Sequence, residues 1–234
     1  MSTIVKNTFF VGDIFLPQAK PTITSDVSEV DSSLIEFIKD KEEECLSNCL
    51  GELYFEFKSK LDLSKPEGII TDDGGNVLAD DLKWVWLLNG RKEYVNSKGK
   101  KRTFKGLRYK SSDIEDSVYD RSLIAYYIYY FFKRSSYVST TTVGDTIPYS
   151  KNAKTVTPDI KATEAWRKFF KLTVGSKLKP RVYSNKYGYG IDYYNSENIF
   201  VSLYEFINDM NLLEANTYEN FNPKNWLNTN IAGI

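Results

Sequence analysis

Histidine is missing from this 234-residue chain, and with it go the commonest general base and the commonest zinc ligand. An excess of charge of either sign is missing too. Lys plus Arg number 31 and Asp plus Glu number 31, so no global field favours nucleic acid or a membrane surface, and electrostatic recognition has to be local. Cysteine is limited to Cys45 and Cys49. Four residues apart on a predicted helix, they suit neighbouring core thiols better than a structural disulfide, the usage expected of a reducing compartment. Met1 to Phe10 carries neither a basic stretch followed by a long apolar one nor a small-residue cleavage site, so no secretory signal is expected. There is no Cys paired with His, no nucleophile elbow, no Walker loop and no customary metal-ligand spacing. Gly188 and Gly190 lack the rest of a dinucleotide fingerprint. The expectation is a protein without enzymatic activity, metal or cofactor.

No apolar run reaches membrane length. The longest covers ten residues, Leu123, Ile124, Ala125, Tyr126, Tyr127, Ile128, Tyr129, Tyr130, Phe131 and Phe132, and runs into Lys133 and Arg134. As a helix it rises about 15 Å, half of a bilayer core. A helix apolar on every side must therefore be enclosed by protein, either its own domain or a neighbouring subunit, and each of its four tyrosine hydroxyls needs a hydrogen-bond partner. Asp113 is the predicted N-cap of this helix, with Glu115 and Asp116 in its first turn.

The pattern elsewhere is mostly helical, and the length suits one large domain with extensions. Residues 1–30 read as an extended arm or edge strand, with Pro17 and Pro21 discouraging helix. Residues 31–211 read as a helical core. Leu34, Ile38, Cys45 and Cys49 share one face of a helix that runs to Leu50, with Gly51 near its end. Glu42, Glu43 and Glu44 read as a solvated face. Leu53 to Phe57 continue in a second helical piece that ends before Pro66. Pro66 to Asp80 is a loop by composition, and it lacks the ligand spacing of a calcium hand. Ala79 to Leu88 is a short buried helix with Trp84 and Trp86 in the core, ending at Asn89 and Gly90. Residues 135–157 are a long Ser/Thr-rich irregular loop. Pro158 to Val174 places Ala162, Ala165, Trp166, Phe169 and Phe170 on one helical face, with Gly175 as the stop. Tyr183 to Tyr194 is an aromatic and glycine-rich loop or hairpin, and Asn198 to Leu213 a last amphipathic helix. Residues 212–234 are an Asn-rich tail too polar to fold alone but carrying the anchors Phe221, Trp226 and Ile231.

Residues 91–110 form the one basic block. Tyr94, Val95, Thr103 and Phe104 flank Asn96, Ser97, Lys98 and Gly99 in a hairpin pattern. Nine basic residues there, Arg91, Lys92, Lys98, Lys100, Lys101, Arg102, Lys105, Arg108 and Lys110, face a single acid, Glu93. An edge hairpin protected from aggregation by lysines accounts for this as well as a surface facing phosphate or an acidic partner does. Lys179, Arg181 and Lys186 beside Tyr187, Tyr189 and Tyr193 suggest a base-stacking surface or a protein interface. Two acidic pairs, Asp72 with Asp73 and Asp80 with Asp81, serve a hydrolase only if other acids converge on them, and a turn and a helix cap explain them more simply.

The order of parts now carries a resemblance. Phe15, Leu16 and Pro17 close the arm. A helix leads from Leu34 to Leu50, Gly51, Leu53 and Tyr54. Trp84 to Gly90, Tyr126 to Phe132 and the loop Thr140, Thr141, Thr142, Val143 and Gly144 follow. Over roughly Asp13 to Met210 the chain resembles the head-to-tail connector, or ring adaptor, proteins of tailed bacteriophages, and more narrowly those of crAss-like phages infecting Bacteroides. The resemblance implies a mainly α subunit: a helical-bundle adaptor core with an inserted β-hairpin and extended N- and C-terminal arms. It implies a homo-oligomeric ring, usually twelvefold, in the virion neck between portal and tail, assembled in the host cytoplasm. Its partners are then the portal protein, further neck or tail ring proteins, and DNA passing through the channel without sequence specificity; no membrane is involved. In that setting Lys98, Lys100, Lys101, Arg102 and Lys105 face DNA or an acidic partner. Tyr126, Tyr130, Thr141, Tyr149, Phe221, Trp226 and Ile231 meet a neighbouring subunit or the portal. The alternative is a soluble nucleic-acid-binding or processing protein that uses the basic hairpin.

Overall fold

The computed structural model describes residues 3–19, 22–24, 27–29, 32–111, 118–135, 139–141, 144–146, 159–175, 200–214 and 217–223. In chain order these contain strands β1 (Thr22–Thr24) and β2 (Val27–Glu29), helices α1 (Ser32–Leu50), α2 (Leu53–Lys60) and α3 (Leu82–Asn89), and strands β3 (Arg91–Val95), β4 (Lys101–Phe104), β5 (Arg108–Tyr109) and β6 (Arg121–Ser122). Helix α4 (Leu123–Ser135), strands β7 (Ser139–Thr141) and β8 (Gly144–Thr146), and helices α5 (Asp159–Thr173) and α6 (Leu203–Leu213) follow. The build is mainly α, as the periodicity predicts. One core over 31–211 is replaced by two compact units, Met1–Cys49 with Lys110–Phe169 and Pro223–Ile234, and Leu50–Tyr109 with Phe170–Asn222.

In the first unit, Leu34, Ile38, Cys45 and Cys49 of α1 are buried, as their spacing requires. Helix α4 begins ten residues later than its predicted Asp113 cap. Asp113 lies outside the described residues, residues 118–120 are not helical, and Ser122 Oγ accepts the Ile124 N–H at 3.1 Å in the capping role. Every residue from Leu123 to Tyr130 is buried, and the enclosure expected of this helix comes within the chain. The Tyr127 hydroxyl donates to Glu44 Oε1 at 2.8 Å, and Tyr130 accepts from Arg134 at 2.9 Å. The Lys168 ammonium lies 5.1 Å from the Tyr126 ring centroid, and the Lys133 ammonium 5.6 Å from that of Tyr129. Trp166 of α5 packs 4.9 Å from Tyr130 and 5.3 Å from Phe169, centroid to centroid.

Residues 3–19 are not the expected extended arm. They form 3₁₀ turns at Asn7–Phe9, Gly12–Ile14 and Pro17–Ala19. Ile4, Val5, Phe9, Phe10, Ile14 and Leu16 are all buried, and their spacing fits neither a strand nor a helix, so successive turns are what bring each one inward. Glu42 pins the start of this segment: Oε1 accepts the Ile4 N–H at 2.9 Å and Oε2 the Val5 N–H at 2.7 Å. Its neighbour Glu43 is exposed as predicted, whereas Glu42 is only 8% exposed and belongs to the core. β1 and β2 pair antiparallel from Thr22 opposite Glu29 to Thr24 opposite Val27. The loop predicted over 135–157 contains a second such hairpin, β7 with β8, running from Ser139 opposite Thr146 to Thr141 opposite Gly144.

In the second unit, Trp84 and Leu88 of α3 and Phe57 of α2 are buried, with Phe57 and Trp84 ring centroids 5.9 Å apart. Trp86 is only half-buried, at the edge of the core where both tryptophans were expected. The start of the predicted docking tail folds back instead of projecting. Tyr218 is fully buried and donates to the Lys83 carbonyl at 2.6 Å, while the Leu53 N–H reaches the Asn220 carbonyl at 3.1 Å. Gly51 makes the return possible, because at φ +65° a Cβ there would lie 1.9 Å from the Asn222 carbonyl oxygen.

Burial pushes the Glu42 carboxyl up from 4.5 to about 7, against the opposing pull of the Val5 and Ile4 N–H groups. A raised carboxyl pKa means that the folded state holds this proton more tightly than the unfolded one. Stability from this group is therefore full below pH 4.5 and is lost as pH rises through about 7. Urea unfolding across that range should show wild type losing on the order of 3 kcal/mol relative to Glu42→Gln. Parallel pH profiles for the two proteins would sink the assignment.

Candidate functional site

The basic block folds as the hairpin its pattern predicts. Asn96 builds the turn: its Oδ1 accepts the N–H groups of Lys98 and Lys100, both at 3.0 Å, its own N–H reaches the Lys100 carbonyl at 2.9 Å, and Gly99 takes φ +73°. β3 pairs antiparallel with β4, Tyr94 opposite Arg102 and Val95 opposite Lys101, with an irregularity between Arg91 and Tyr94 where Glu93 adopts φ +47°. At the base of the hairpin, Gly90 and Gly106 both have φ +93°, and a Cβ on Gly106 would stand 2.5 Å from the Gly90 nitrogen. Only two glycines allow that backbone approach.

Alternation along β4 divides the side chains between two faces. Tyr94 and Phe104 turn inward onto α6, Phe104 stacking on Phe206 with centroids 4.3 Å apart. Beneath them Asp209 Oδ2 accepts the Tyr94 hydroxyl at 2.9 Å and pairs with Arg102 Nη1 at 3.2 Å, while Asp209 itself is 6% exposed. Burial, reinforced by the bond to Asp209, pushes the Tyr94 hydroxyl well above its ordinary range, so it stays protonated and keeps its proton for Asp209. Helix α6 is fixed in turn by a capping box, Ser202 accepting from the Glu205 N–H and Glu205 from the Ser202 N–H.

The remaining arginines also turn inward. The Arg91 guanidinium carbon lies 3.9 Å from the Trp86 ring centroid, and its Nη1 reaches Met210 Sδ at 3.0 Å. Arg108 is buried and donates to Asn89 Oδ1 at 2.8 Å. Lysines take the outer positions: Lys98, Lys101 and Lys105 are exposed and Lys100 is half-exposed. Among the described residues, none of these four forms an ion pair. Lys105 instead lies 4.8 Å from the ring centroid of Phe200, a side chain 61% exposed, and the adjoining Val201 N–H holds to the Thr103 carbonyl at 3.0 Å.

Of the basic residues expected to face a partner, the hairpin thus brings Lys98, Lys100, Lys101 and Lys105 to its outer side and commits Arg102 to Asp209. The predicted subunit contacts are dispersed. Tyr126 and Tyr130 are buried in α4, Thr141 ends β7, and Phe221 packs edge-on against Tyr204 with centroids 5.2 Å apart. Tyr149, Trp226, Ile231 and the Tyr183 to Tyr194 segment lie outside the described residues. The acidic pairs serve local structure. Asp72 Oδ1 accepts the Asn76 N–H at 2.8 Å, and buried Asp81 pairs with Lys60 at 2.9 Å. No group of three metal-ligating side chains occurs among the described residues. Sequence reading missed Asp209, although a carboxylate three residues after Phe206 and next to Met210 on the apolar side of α6 was a legible anomaly.

Replacing Asp209 with Ala leaves the Arg102 guanidinium and the Tyr94 hydroxyl without their shared acceptor, and should destabilise the protein by about 2–3 kcal/mol. Tyr94→Phe should cost about 1 kcal/mol, and the two effects should not add. Urea denaturation of the double-mutant cycle measures this; additive losses would rule out the shared acceptor.

No known family matches this chain, and comparison with curated proteins and with solved structures finds no match either.

Proposed function

We propose that the chain is a structural connector subunit that assembles into a ring in the neck of a tailed bacteriophage, between portal and tail, and encircles DNA. Support comes first from the order of helical and aromatic segments that carries the resemblance. The observation that bears most weight is the basic hairpin: in a mainly helical subunit it is held on α6 by Asp209, with lysines on its exposed side, a charge pattern that suits an anionic partner. Its partners in this role are other copies of itself, the portal, further neck or tail rings and the enclosed DNA, and it needs neither cofactor nor catalytic activity.

Burial of Tyr126 and Tyr130 inside the chain moves ring contact to other surfaces. Large apolar side chains left exposed, such as Phe55 at 70% and Leu78 at 54%, suit a heterologous, closing contact. The second reading, a soluble nucleic-acid-binding protein, draws on the same hairpin and differs in needing no ring.

Native mass spectrometry and electron microscopy of the purified protein, alone and with the portal protein encoded in the same genome, test the proposal. Closed rings of uniform copy number are expected in at least one of the two samples. Monomer alone in both would overturn it.

A further inference from the structure

We propose that the outer face of the hairpin, Lys98, Lys100, Lys101 and Lys105 with Phe200 beside them, binds the phosphodiester backbone of nucleic acid without reading its bases. The inference rests on the ring reading for its setting, since DNA is what such a ring encloses, but its chemistry belongs to the single subunit.

The partition of cation types points to this ligand. Arginine forks favour bidentate carboxylates and stacked planes, and all three arginines of the hairpin are spent in such internal contacts, on Trp86, on Asp209 and on Asn89. The fully exposed cations of the hairpin are all lysines, compact charges on flexible stems that follow a line of phosphates without demanding one fixed geometry. Among the described residues, none of the four has a carboxylate partner to surrender on binding.

The backbone that carries the lysines is held in place. Asn96 locks the turn that carries Lys98 and Lys100, the β3–β4 register fixes Lys101 opposite Val95, and Phe200 lies under the Lys105 ammonium. Less chain ordering is then left to oppose association. An acidic protein partner fits less well. A protein interface buries a continuous apolar centre, and the large apolar side chains exposed on this face are Val95 and Phe200 alone among the described residues of the hairpin and its bridge. Phosphate contacts need no such centre.

Fluorescence anisotropy of the full chain against a short DNA duplex, the corresponding single strand and poly-L-glutamate tests the proposal. Both DNAs should bind, with affinity falling steeply as salt rises, and poly-L-glutamate should bind at least about tenfold more weakly. Lys98→Gln, Lys101→Gln and Lys105→Gln together should weaken DNA binding at least about tenfold and flatten the duplex salt slope by nearly one unit per lysine. A control combining Lys39→Gln, Lys65→Gln and Lys161→Gln, all exposed residues elsewhere, should change it little. Circular dichroism and urea unfolding confirm that both triple variants fold. Equal loss in the control, poly-L-glutamate binding as tight as DNA, or no DNA binding at low salt would each overturn the assignment. A ring that forms yet ignores DNA defeats this inference alone, and a monomer that binds DNA through these lysines defeats the ring alone.

Discussion

A carboxyl group taken out of water has to find hydrogen-bond partners, and each unit of this protein is organised around one that does. Asp209, carried by α6, takes the hydroxyl of Tyr94 and the guanidinium of Arg102, more than a hundred residues earlier in sequence, and so fastens both strands of the hairpin at once. Glu42, carried by α1, takes two successive main-chain N–H groups at Ile4 and Val5 and fastens the start of the chain. The cost of leaving such a group unpaired is larger than the gain from any single apolar contact, so these positions specify which segment packs where. Asp81 does the same on a smaller scale with Lys60.

The Asp209 anchor gives the surface chemistry its form. By neutralising Arg102 from below it leaves the outer side of the hairpin to lysines, and the stacking of Arg91 on Trp86 and the bonding of Arg108 to Asn89 complete that sorting. A basic block of nine charges is thereby converted into a smaller, ordered set. On the proposed reading, a hairpin held this way supports long-range attraction of an anionic polymer and imposes little geometry of its own. That is a useful property in a subunit that surrounds DNA without recognising it, and it is equally the property a free nucleic-acid-binding protein would need.

Several elements were legible in the residues alone. The 3.6-residue spacing of Leu34, Ile38, Cys45 and Cys49 marked α1, the unbroken apolar run marked α4 as enclosed, and Asn96 to Gly99 between strand-like flanks marked the hairpin. Local physics decides such features: periodicity, turn chemistry and the length of an apolar stretch. Errors fell where a residue's role depends on a distant partner. Glu42 looks like its neighbours until Ile4 and Val5 are placed against it, residues 3–19 look extended until their buried side chains force turns, and Tyr218 looks like part of a polar tail until Lys83 offers it a carbonyl. Asp113 looked like a helix cap because its side chain suits one, yet α4 starts where Ser122 supplies the acceptor.

By itself, then, the sequence determined that the protein is mainly helical, that a ten-residue apolar helix must be covered by protein, and that positive charge is gathered in one hairpin, because composition and short-range spacing settle those matters before any tertiary contact forms. Only the tertiary structure decided which charges are available. It divided the chain into two units, turned the hairpin's arginines inward and left its lysines outside, since the direction of a charged side chain is set by the acceptor or ring that folding brings within reach of it.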